Sequence, residues 1–479
     1  MLLETVIGLE IHAELKTNTK IFCSCSTKFG ENPNENTCPI CLGMPGTLPV
    51  LNEQVVNLAI KAGRAVNCTI NKYNKMDRKN YFYPDLTKNY QTSQYDLPMC
   101  LNGMINFNYE GEEISIRINR IHIEEDSGKL VHIEDEPVSL IDYNRAGVPL
   151  IEIVTEPDLR SPAQASEFMR ELKGILEYAE ISDCRMDQGS IRCDANISIR
   201  PYGIKEYGTK VEIKNINSFR EVQKALEKEE KRQKELYKQG QEYKIKQETR
   251  RWDAVKGETV PMRSKEDAND YRYFPEPDLT PIIISQEKID IIEKSLPEMP
   301  IEKRARFVKE YGITEKEASI IICSKVLSEF YEEVVKEGGN PKTASNYILG
   351  DLLRLLNAKS MEPNDIKISP KNLVDLFKII EEGKISNTVG KEVFKEIFES
   401  DRPVLEIIED KGLFQITCSD EIEKLVDEVL SNNPKSVEDF KGGKTKSVGF
   451  LMGQLMKISK GKVNPQLAKQ IIEEKLKNN

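Results

Sequence analysis

A segment of strict alternation near the N-terminus constrains the fold of this chain more than any other feature. From Ile7 to Leu15, apolar residues occupy every second position, and Gly8, Glu10, His12 and Glu14 stand between them. Successive side chains of a β-strand point to opposite faces, so these residues share one face of a half-buried strand. Two carboxylates beside one of only three histidines in the chain fit a solvent-exposed face or, alternatively, ligands for a divalent metal.

Three later segments carry the same kind of polar face. They are predicted strands at about 113–125, 150–154 and 191–200, with acidic or amide side chains between apolar ones. The polar positions of the four strands are Glu10 and His12, Glu124 and Glu125, Glu152, and Asp194 with Asn196. If the strands lie side by side in one antiparallel sheet, these faces form one concave catalytic surface.

The strand at 113–125 contains a slip in phase. Isoleucines occupy the even positions from 114 to 118, but then the odd positions 121 and 123. One extra residue in a strand produces such a slip, because side chains alternate with a period of two. We therefore expect a β-bulge near Asn119, and bulges often re-aim side chains at sites.

The sequence lacks both of the glycine-rich motifs that bind phosphate at a strand–helix turn, GxxxxGK[ST] and GxGxxG. Any nucleotide would therefore be held by metal and side chains on the sheet. Arg192, on the strand that carries Asp194 and Asn196, suits the phosphates of ATP with their metal.

The segment 77–91 has an unusual composition for a surface loop, since aromatic residues alternate with charged ones. It contributes Lys79, Tyr81 and Lys88 as candidates. Lysines can pair with phosphate, and tyrosines can stack on a base or donate a hydroxyl. The alternative is a loop packed by its own aromatic side chains.

Four of the ten cysteines cluster in one loop, at Cys23, Cys25, Cys38 and Cys41. Two close pairs across a short loop can place four thiolates tetrahedrally around Zn²⁺. Free thiols or a redox pair are the alternatives. Four protein ligands close the coordination sphere, so a zinc ion in the loop 23–41 would be structural and not catalytic.

Composition limits the class of protein. No apolar run approaches the roughly 18–20 residues that span a bilayer, and the N-terminus has no apolar signal region, so we expect a cytoplasmic protein without membrane contact. The net charge of −10 argues against broad non-specific nucleic-acid binding, but residues 441–479 hold nine lysines and only two acidic residues. That basic segment indicates local contact with a polyanion, or else a solvated lysine-rich helical domain.

The 479 residues predict two to four domains and an α+β fold class. Residues 1–296 are expected to form an antiparallel sheet domain, because the strand patterns lie there. Pro297 and Pro300 mark a boundary. Residues 297–404 have helical periodicity and few strand signals, which predicts an all-α domain, and residues 405–479 predict a smaller α-helical domain.

Several longer stretches together form a pattern known from one protein family. They are VIGLEIH at 6–12, the four-cysteine loop, YFYPDL at 81–86, DYNRAG at 142–147, GSIRCD at 189–194, NDYRYFP at 269–275, and the tail from 448 to 465. With them the chain resembles the GatB family, the B subunits of aspartyl/glutamyl-tRNA amidotransferases. The likeness covers nearly the whole chain. Region 301–404 is least distinctive, and Thr87 stands where the family pattern has a proline.

The resemblance implies a cradle-shaped first domain, similar to the glutamine synthetase catalytic domain, then a helical domain and a YqeY-like tail that contacts tRNA. It implies a ligase that uses ATP to phosphorylate the side-chain carboxylate of Glu-tRNA(Gln) or Asp-tRNA(Asn). Ammonia then displaces phosphate. The A subunit is a glutaminase that supplies the ammonia through a channel, and the C subunit completes a heterotrimer.

The resemblance also implies roles for the candidate residues. Mg²⁺ ligands are expected first among Glu10, His12, Glu125 and Glu152, and next at Glu124 and Asp194. Arg192 and Lys79 are candidates for phosphate contact, and Asp194 and Asn196 for the nucleotide with its metal. Tyr81 and Lys88 are candidates to guide the aminoacyl end or ammonia.

Two rival functions remain open. The first is a non-catalytic tRNA-binding scaffold, in which the zinc loop and the basic tail are docking modules. A scaffold has no need for Glu10, His12, Glu125 and Glu152 together. The second is a stand-alone ammonia ligase, and the tail and zinc loop argue against it because a free amino acid needs neither.

Overall fold

The computed structural model describes residues 2–133, 137–262, 271–359, 361–415, 419–441, 447–459, 463 and 465–478. The chain divides into two compact units, Met1–Lys303 and Arg304–Asn479. Within the described ranges the strands all belong to the first unit, and the second unit is helical. This confirms the predicted α+β class. Part of the resemblance motif at 269–275 and the tail lysines at 444, 446, 460 and 462 lie outside the described residues.

Sixteen strands lie in the described part of the first unit. They are β1 (Leu3–Glu14), β2 (Thr69–Ile70), β3 (Tyr73–Asn74), β4 (Asp77–Asn80), β5 (Tyr90–Ser93), β6 (Cys100–Tyr109), β7 (Glu112–Glu125), β8 (Lys129–His132), β9 (Ser139–Asp142), β10 (Pro149–Thr155), β11 (Ile191–Pro201), β12 (Val211–Lys214), β13 (Glu248–Asp253), β14 (Glu258–Pro261), β15 (Phe274–Pro275) and β16 (Ile282–Ile283). Its helices are α1 (Glu53–Ala65), α2 (Pro162–Tyr178), α3 (Phe219–Lys238) and α4 (Gln286–Lys294), with a 3₁₀ turn at Glu242–Lys244.

Nine of the strands form one sheet in the order β14-β13-β12-β11-β1-β10-β7-β6-β2. Its neighbours are antiparallel except for β12 and β13, which are parallel. The four strands with predicted polar faces are consecutive neighbours, β11-β1-β10-β7. The four strands therefore lie side by side in one antiparallel sheet, and their polar faces can form a single surface.

Helices cover one face of this sheet. Ile7, Leu9 and Ile11 of β1 are almost completely buried in a core to which α1, α2 and α3 contribute. Burying each such side chain contributes about 1.5–3 kcal/mol, so the alternation decides which face turns towards the helices. The opposite face is left to the residues between them, including Glu10 and His12.

The predicted bulge is confirmed in β7. Val154 of β10 pairs with Arg120, whereas Thr155 pairs with Ile118, so Asn119 is the extra residue. Its side-chain Nδ2 donates a hydrogen bond to Glu156 Oε1 at 2.6 Å. The extra residue shifts the alternation of side chains along β7 by one position, so that His122 and Glu124 point to the polar face.

Serine caps fix the start of two helices that pack on the sheet. Ser161 Oγ accepts a hydrogen bond from Gln164 N, and Pro162 occupies the first turn of α2. Ser218 Oγ accepts from Glu221 N at the start of α3. Each cap satisfies a helix N–H that would otherwise lack a partner.

The second unit contains the remaining helices of the described chain. They are α5 (Pro300–Tyr311), which begins in the first unit, α6 (Glu315–Ile322), α7 (Lys325–Lys336), α8 (Pro341–Asn346), a π-helix (Tyr347–Leu352), α9 (Leu353–Ala358), a 3₁₀ turn (Pro363–Asp365), α10 (Pro370–Glu381), α11 (Asn387–Ser400), α12 (Val404–Asp410), α13 (Ser419–Asn432), α14 (Pro434–Lys441), α15 (Ser447–Ile458) and α16 (Pro465–Asn478). None of the described helices is both long and apolar enough to span a bilayer.

Two apolar clusters lie within the second unit. The first runs from Phe307 to Ile408, and the second from Ile422 to Leu476. Helix α12 belongs to the first cluster through Val404 and Ile407, so that cluster continues past residue 404. The division into domains at 296 and 404 stays a prediction.

Candidate functional site

The polar faces of the four central strands meet in register. His12 lies opposite Arg192 on β11 and opposite Glu152 on β10. Glu152 in turn lies opposite His122 on β7. Directly opposed residues of antiparallel strands share one face. The result is one row across four strands, Arg192–His12–Glu152–His122, assembled from parts of the chain that are distant in sequence.

A second row lies one step along the strands. Glu10 is opposite Asp194 on β11, and Lys214 Nζ donates to Asp194 Oδ2 at 2.7 Å. Burial raises the pKa of Glu10, and the charge of Glu152 raises it further. Glu10 therefore sits where a negative charge is costly unless a cation is near.

The two rows, together with Glu124 on the same face of β7, place imidazoles and carboxylates within metal-binding distance. His12 Nε2 lies 3.3 Å from a Glu124 oxygen and 3.4 Å from a Glu152 oxygen. His122 Nε2 lies 3.3 Å from Glu152 and 3.7 Å from Glu124. Two sets of candidate ligands have all their ligand atoms within 4.8 Å: Glu10, His12 and Glu152, and His122, Glu124 and Glu152. Each set could hold a divalent cation, with Glu152 common to both.

The electrostatics of this group fit a cation. Burial alone lowers the pKa of His122, but the carboxylates of Glu152 and Glu124 outweigh it and raise that pKa to about 9. The same competition, in which the carboxylates outweigh burial, raises the pKa of His12. Against the effect of burial, the imidazoles lower the pKa values of Glu124 and Glu152. Carboxylates that raise the pKa of neighbouring imidazoles also attract a metal cation, which can take the place of the protons.

Glu125 is not brought into this group. Alternation along β7 turns it to the face opposite Glu124, and its Oε1 accepts a hydrogen bond from Thr92 N at 2.8 Å. Lys88 Nζ forms an ion pair with the same oxygen. Both side chains line a cavity of about 200 Å³, together with Cys23 and Cys41 of the cysteine loop. The expectation that Glu125 shares a metal with Glu10 and His12 therefore conflicts with its position.

Aromatic side chains stand beside the carboxylates. The rings of Tyr81 and Tyr271 meet edge to face, with centroids 5.8 Å apart, and Lys79 Nζ lies 5.0 Å from the Tyr271 centroid. Burial and the charge of Glu124 raise the pKa of Tyr81. Burial and the charge of Glu152 likewise raise the pKa of Tyr273. Tyr81 and Tyr273 therefore lie near the carboxylate group, and Lys79 lies against the neighbouring ring of Tyr271.

Two polar atoms on β11 are buried without a hydrogen-bond partner: Arg192 Nε and Asn196 Oδ1. The Arg192 guanidinium is otherwise held by an ion pair with Asp126, and Arg145 Nε lies 3.4 Å from the same carboxylate. Buried polar groups are almost always paired in folded proteins. These two atoms therefore point to positions that a ligand could fill.

The four clustered cysteines converge in space. Their sulfur atoms all lie within 4.8 Å of one another, and the Sγ atoms of Cys38 and Cys41 are 3.9 Å apart. A hydrogen bond from the Cys23 thiol lowers the pKa of Cys41 to about 5. Lys20, which is completely buried, places Nζ 3.7 Å from the Cys41 sulfur. Zinc–sulfur bonds of about 2.3 Å require sulfur separations of about 3.8 Å, so these four residues could hold zinc.

Sequence reasoning missed His122, Tyr271 and Tyr273 as site residues. His122 was recognisable, because it stands two residues before Glu124 and alternation places both on one face. The two tyrosines lie in the NDYRYFP motif at 269–275, but alternation does not indicate their place in the site, since that depends on the pairing of β15 with β4.

Comparisons with known proteins match most of the chain. A family model described as the GatB/GatE catalytic domain matches residues 5–290, and one described as the GatB domain matches residues 329–476. The chain is 67% identical over 473 residues, 99% of each chain, to the B subunit of the aspartyl/glutamyl-tRNA(Asn/Gln) amidotransferase of Clostridium beijerinckii. It is 58% identical to the B subunit numbered 2 of Clostridium acetobutylicum and 56% identical to the B subunit of Thermoanaerobacter pseudethanolicus, again over 473 residues and 99% of both chains.

Proposed function

The chain belongs to the GatB family of aspartyl/glutamyl-tRNA(Asn/Gln) amidotransferase B subunits, and we propose that its polar sheet face carries out the ATP-dependent step of that reaction. It is part of a ligase that forms a carbon–nitrogen bond with glutamine as the amido donor. The substrates are Glu-tRNA(Gln), Asp-tRNA(Asn) or both. ATP phosphorylates the side-chain carboxylate, and ammonia then displaces phosphate to give Gln-tRNA(Gln) or Asn-tRNA(Asn).

The convergence of carboxylates and imidazoles from four adjacent strands is the observation that carries this proposal. A carboxylate is a poor acylating agent, so amidation needs a better leaving group on it. Phosphoryl transfer asks the protein for positioning and for neutralisation of charge more than for covalent help. A sheet face with two three-ligand groups fits that requirement, whereas a docking scaffold has no use for it.

Each side chain of the site has a proposed role. Glu10, His12, His122, Glu124 and Glu152 would hold magnesium. A bound Mg²⁺ would neutralise charge on the phosphate oxygens. Arg192, with its unpartnered Nε, and Lys79 would contact phosphates. Asp194 and Asn196 would help to hold the nucleotide. Tyr81 and Lys88 remain candidates to guide the aminoacyl end or ammonia, whereas Glu125, which lies on the other face, is not assigned to the metal.

Three further parts complete the proposal. Cys23, Cys25, Cys38 and Cys41 would hold structural Zn²⁺, and the lysine-rich tail would contact tRNA. Ammonia would come from the A subunit, a glutaminase, and a C subunit would belong to the same heterotrimer. A reaction that supplies charged tRNA for translation would take place in the cytoplasm.

The direct test is to purify the chain with its co-expressed neighbours and to measure amidation of Glu-tRNA(Gln) and Asp-tRNA(Asn). Product should form only when ATP, Mg²⁺ and glutamine are all present. Phosphate release should depend on the misacylated tRNA. If the complex forms product without ATP, or if it binds tRNA but amidates neither substrate, the proposed function is wrong.

A further inference from the structure

The carboxylate of Glu14 has no role in the candidate ligand groups, although it lies on the same polar face. Glu14 is two residues beyond His12 on β1, and alternation turns both side chains to that face. None of the metal-ligand groups found among the described residues includes it. Within the same part of the chain, no hydrogen bond and no ion pair reaches its carboxylate. A partly buried carboxylate without a partner is costly, so this position favours a ligand with a positive charge.

Leu150 stands between Glu14 and the nearest carboxylate of the ligand groups. It lies opposite Glu14 on one side and opposite Glu124 on the other. Its side chain is almost completely buried. Glu14 is therefore next to the ligand groups without belonging to either of them.

Two arginines lie near Glu14. Arg192 is opposite His12 in the pairing of β1 with β11, which makes it a diagonal neighbour of Glu14. Its guanidinium forms an ion pair with Asp126, and Arg145 Nε lies 3.4 Å from the same carboxylate. Burial and the charge of Asp126 raise the pKa of Glu14 to about 7, and the charges of Arg192 and Arg145 oppose that rise. These charged side chains therefore lie close together at one end of the polar face.

The two arginines differ in how far their donors are used. Arg145 donates through Nε to the Ser127 carbonyl at 3.1 Å and through Nη2 to the Gly128 carbonyl at 2.8 Å, which fixes its side chain. Arg192 Nε is buried and has no hydrogen-bond partner in the described chain. The polar face thus offers a negative acceptor at Glu14 and, beside it, a positive donor at Arg192.

A ligand that carries both charges matches this arrangement. The aminoacyl group of Glu-tRNA(Gln) or Asp-tRNA(Asn) has an α-ammonium group and a side-chain carboxylate, because its α-carboxyl group is esterified to the tRNA. At about 3.3 Å per residue, the positions of Glu14 and His12 are about 7 Å apart along β1. An ammonium group at Glu14 therefore leaves the carboxylate within one side-chain length of Arg192 and of the metal ligands.

We propose that Glu14 binds the α-ammonium group of the misacylated amino acid and thereby places its side-chain carboxylate at Arg192, beside the metal ligands. This inference rests on the proposed function, in which that carboxylate receives the phosphoryl group. Hydrogen bonds between an ammonium group and a carboxylate are among the stronger ones in proteins. Glutamyl and aspartyl groups differ by one methylene but share the α-ammonium group, so Glu14 serves either substrate.

The test measures amidation of two forms of charged tRNA by the wild-type complex of this chain with its partner proteins. One form is the natural Glu-tRNA(Gln) or Asp-tRNA(Asn). The other is the same tRNA charged with the corresponding α-hydroxy acid, in which a neutral hydroxyl replaces the ammonium group. Wild type should amidate the natural form with a kcat/KM at least about tenfold higher, the effect of one charge-assisted hydrogen bond.

Glu14→Gln keeps the size of the side chain but removes its charge. This variant should lose most of the preference, because its kcat/KM falls for the natural form and changes little for the hydroxy form. The preference is a ratio, so it does not depend on the fraction of the variant that folds. Glu113→Gln, the same change at an exposed position of β7, is the matched control and should keep the wild-type preference. Affinity for uncharged tRNA should be the same in all three proteins.

Three results would contradict the inference and leave the proposed function standing. They are equal amidation of both forms by wild type, an unchanged preference in Glu14→Gln, and a loss in Glu14→Gln that is the same for both forms. The last result would mean that Glu14 acts on ammonia or on the fold and not on the α-ammonium group. A wild-type complex that amidates neither form would overturn the proposed function, and the inference with it.

Discussion

Glu152 is the residue on which the two candidate ligand groups depend. One carboxylate oxygen lies 3.4 Å from His12 Nε2 and 3.3 Å from His122 Nε2, and Arg120 Nη2 lies 3.6 Å from the other. It projects from β10, between the two strands that supply the histidines. Loss of its charge would therefore weaken both groups at once, whereas loss of Glu10 or Glu124 would weaken one.

Replacement of Glu152 by glutamine should lower ATP-dependent amidation by at least about 100-fold. Mutation of residues that only support the metal ligands already lowers metal affinity or activity about 10–100-fold. Affinity for tRNA should change little. Amidation and tRNA binding by the purified complex are the measurements, with Glu113→Gln, at an exposed position of β7, as control. Normal turnover in Glu152→Gln would favour the scaffold function.

Some residues of the candidate site could be predicted from the sequence, and others could not. Alternation identified the polar faces, and it already implied that Glu124 and Glu125 point to opposite sides. The same rule places His122 beside Glu124 on the polar face, where both belong to one candidate ligand group. The partner of Glu125 could not be predicted, because Lys88 reaches it only through the fold of the segment around β5.

Among the elements, the cysteine loop brings four sulfur atoms within 4.8 Å of one another, which is the arrangement that a structural zinc ion requires. Cys38→Ser should reduce zinc from about one ion per chain to near zero, because four thiolates complete a structural site. Metal analysis of the purified protein is the measurement. Cys323→Ser, at an exposed cysteine outside the loop, is the control. Equal zinc content in both variants would show that the four clustered cysteines do not bind zinc.

Helix α6 offers a prediction on pH. Thr314 and Glu317 form a capping box, and Lys342 Nζ lies 2.7 Å from a Glu317 oxygen. The hydrogen bond from Lys342 lowers the pKa of Glu317 to about 2. A lowered pKa adds stability that is complete above the unfolded value of about 4.3 and is lost as pH falls towards 2.

Glu317→Gln should therefore reduce the stability of the second unit at pH 7 by about 0.5–1 kcal/mol, a modest loss because the pair is near the surface. The difference from wild type should shrink at pH 3.5. Calorimetric unfolding at both pH values is the measurement, and Glu315→Gln, in the same helical turn, is the control. A difference in stability between the two proteins that grows on acidification would contradict the lowered pKa of Glu317.

Elements were predicted better than their arrangement. The bulge at Asn119, the Ser161 and Ser218 caps and the four polar strands all follow from local pattern. The order β11-β1-β10-β7 does not, because antiparallel pairing brings together segments whose separation in the sequence carries no signal about adjacency.

For the whole molecule, the two apolar clusters of the second unit define where the tail can be removed. The cluster that ends at Ile408 includes α12, so a chain that ends at residue 415 keeps it intact and lacks α13 to α16. This truncation should weaken tRNA binding and flatten its dependence on salt, because the lysine-rich segment is gone. The measurement is a titration with labelled tRNA at two salt concentrations. Unchanged affinity would show that the tail does not contact tRNA.

The central position of β1 has a consequence during synthesis. β1 is complete once residue 14 has been made, but its two neighbours begin at Pro149 and Ile191. At about 5–20 residues per second, the first of them appears roughly 7–27 s later. Throughout that time both edges of a nascent strand have unpaired amides, which are templates for wrong association. The charges of Glu10 and Glu14 then protect the strand from stacking against other chains.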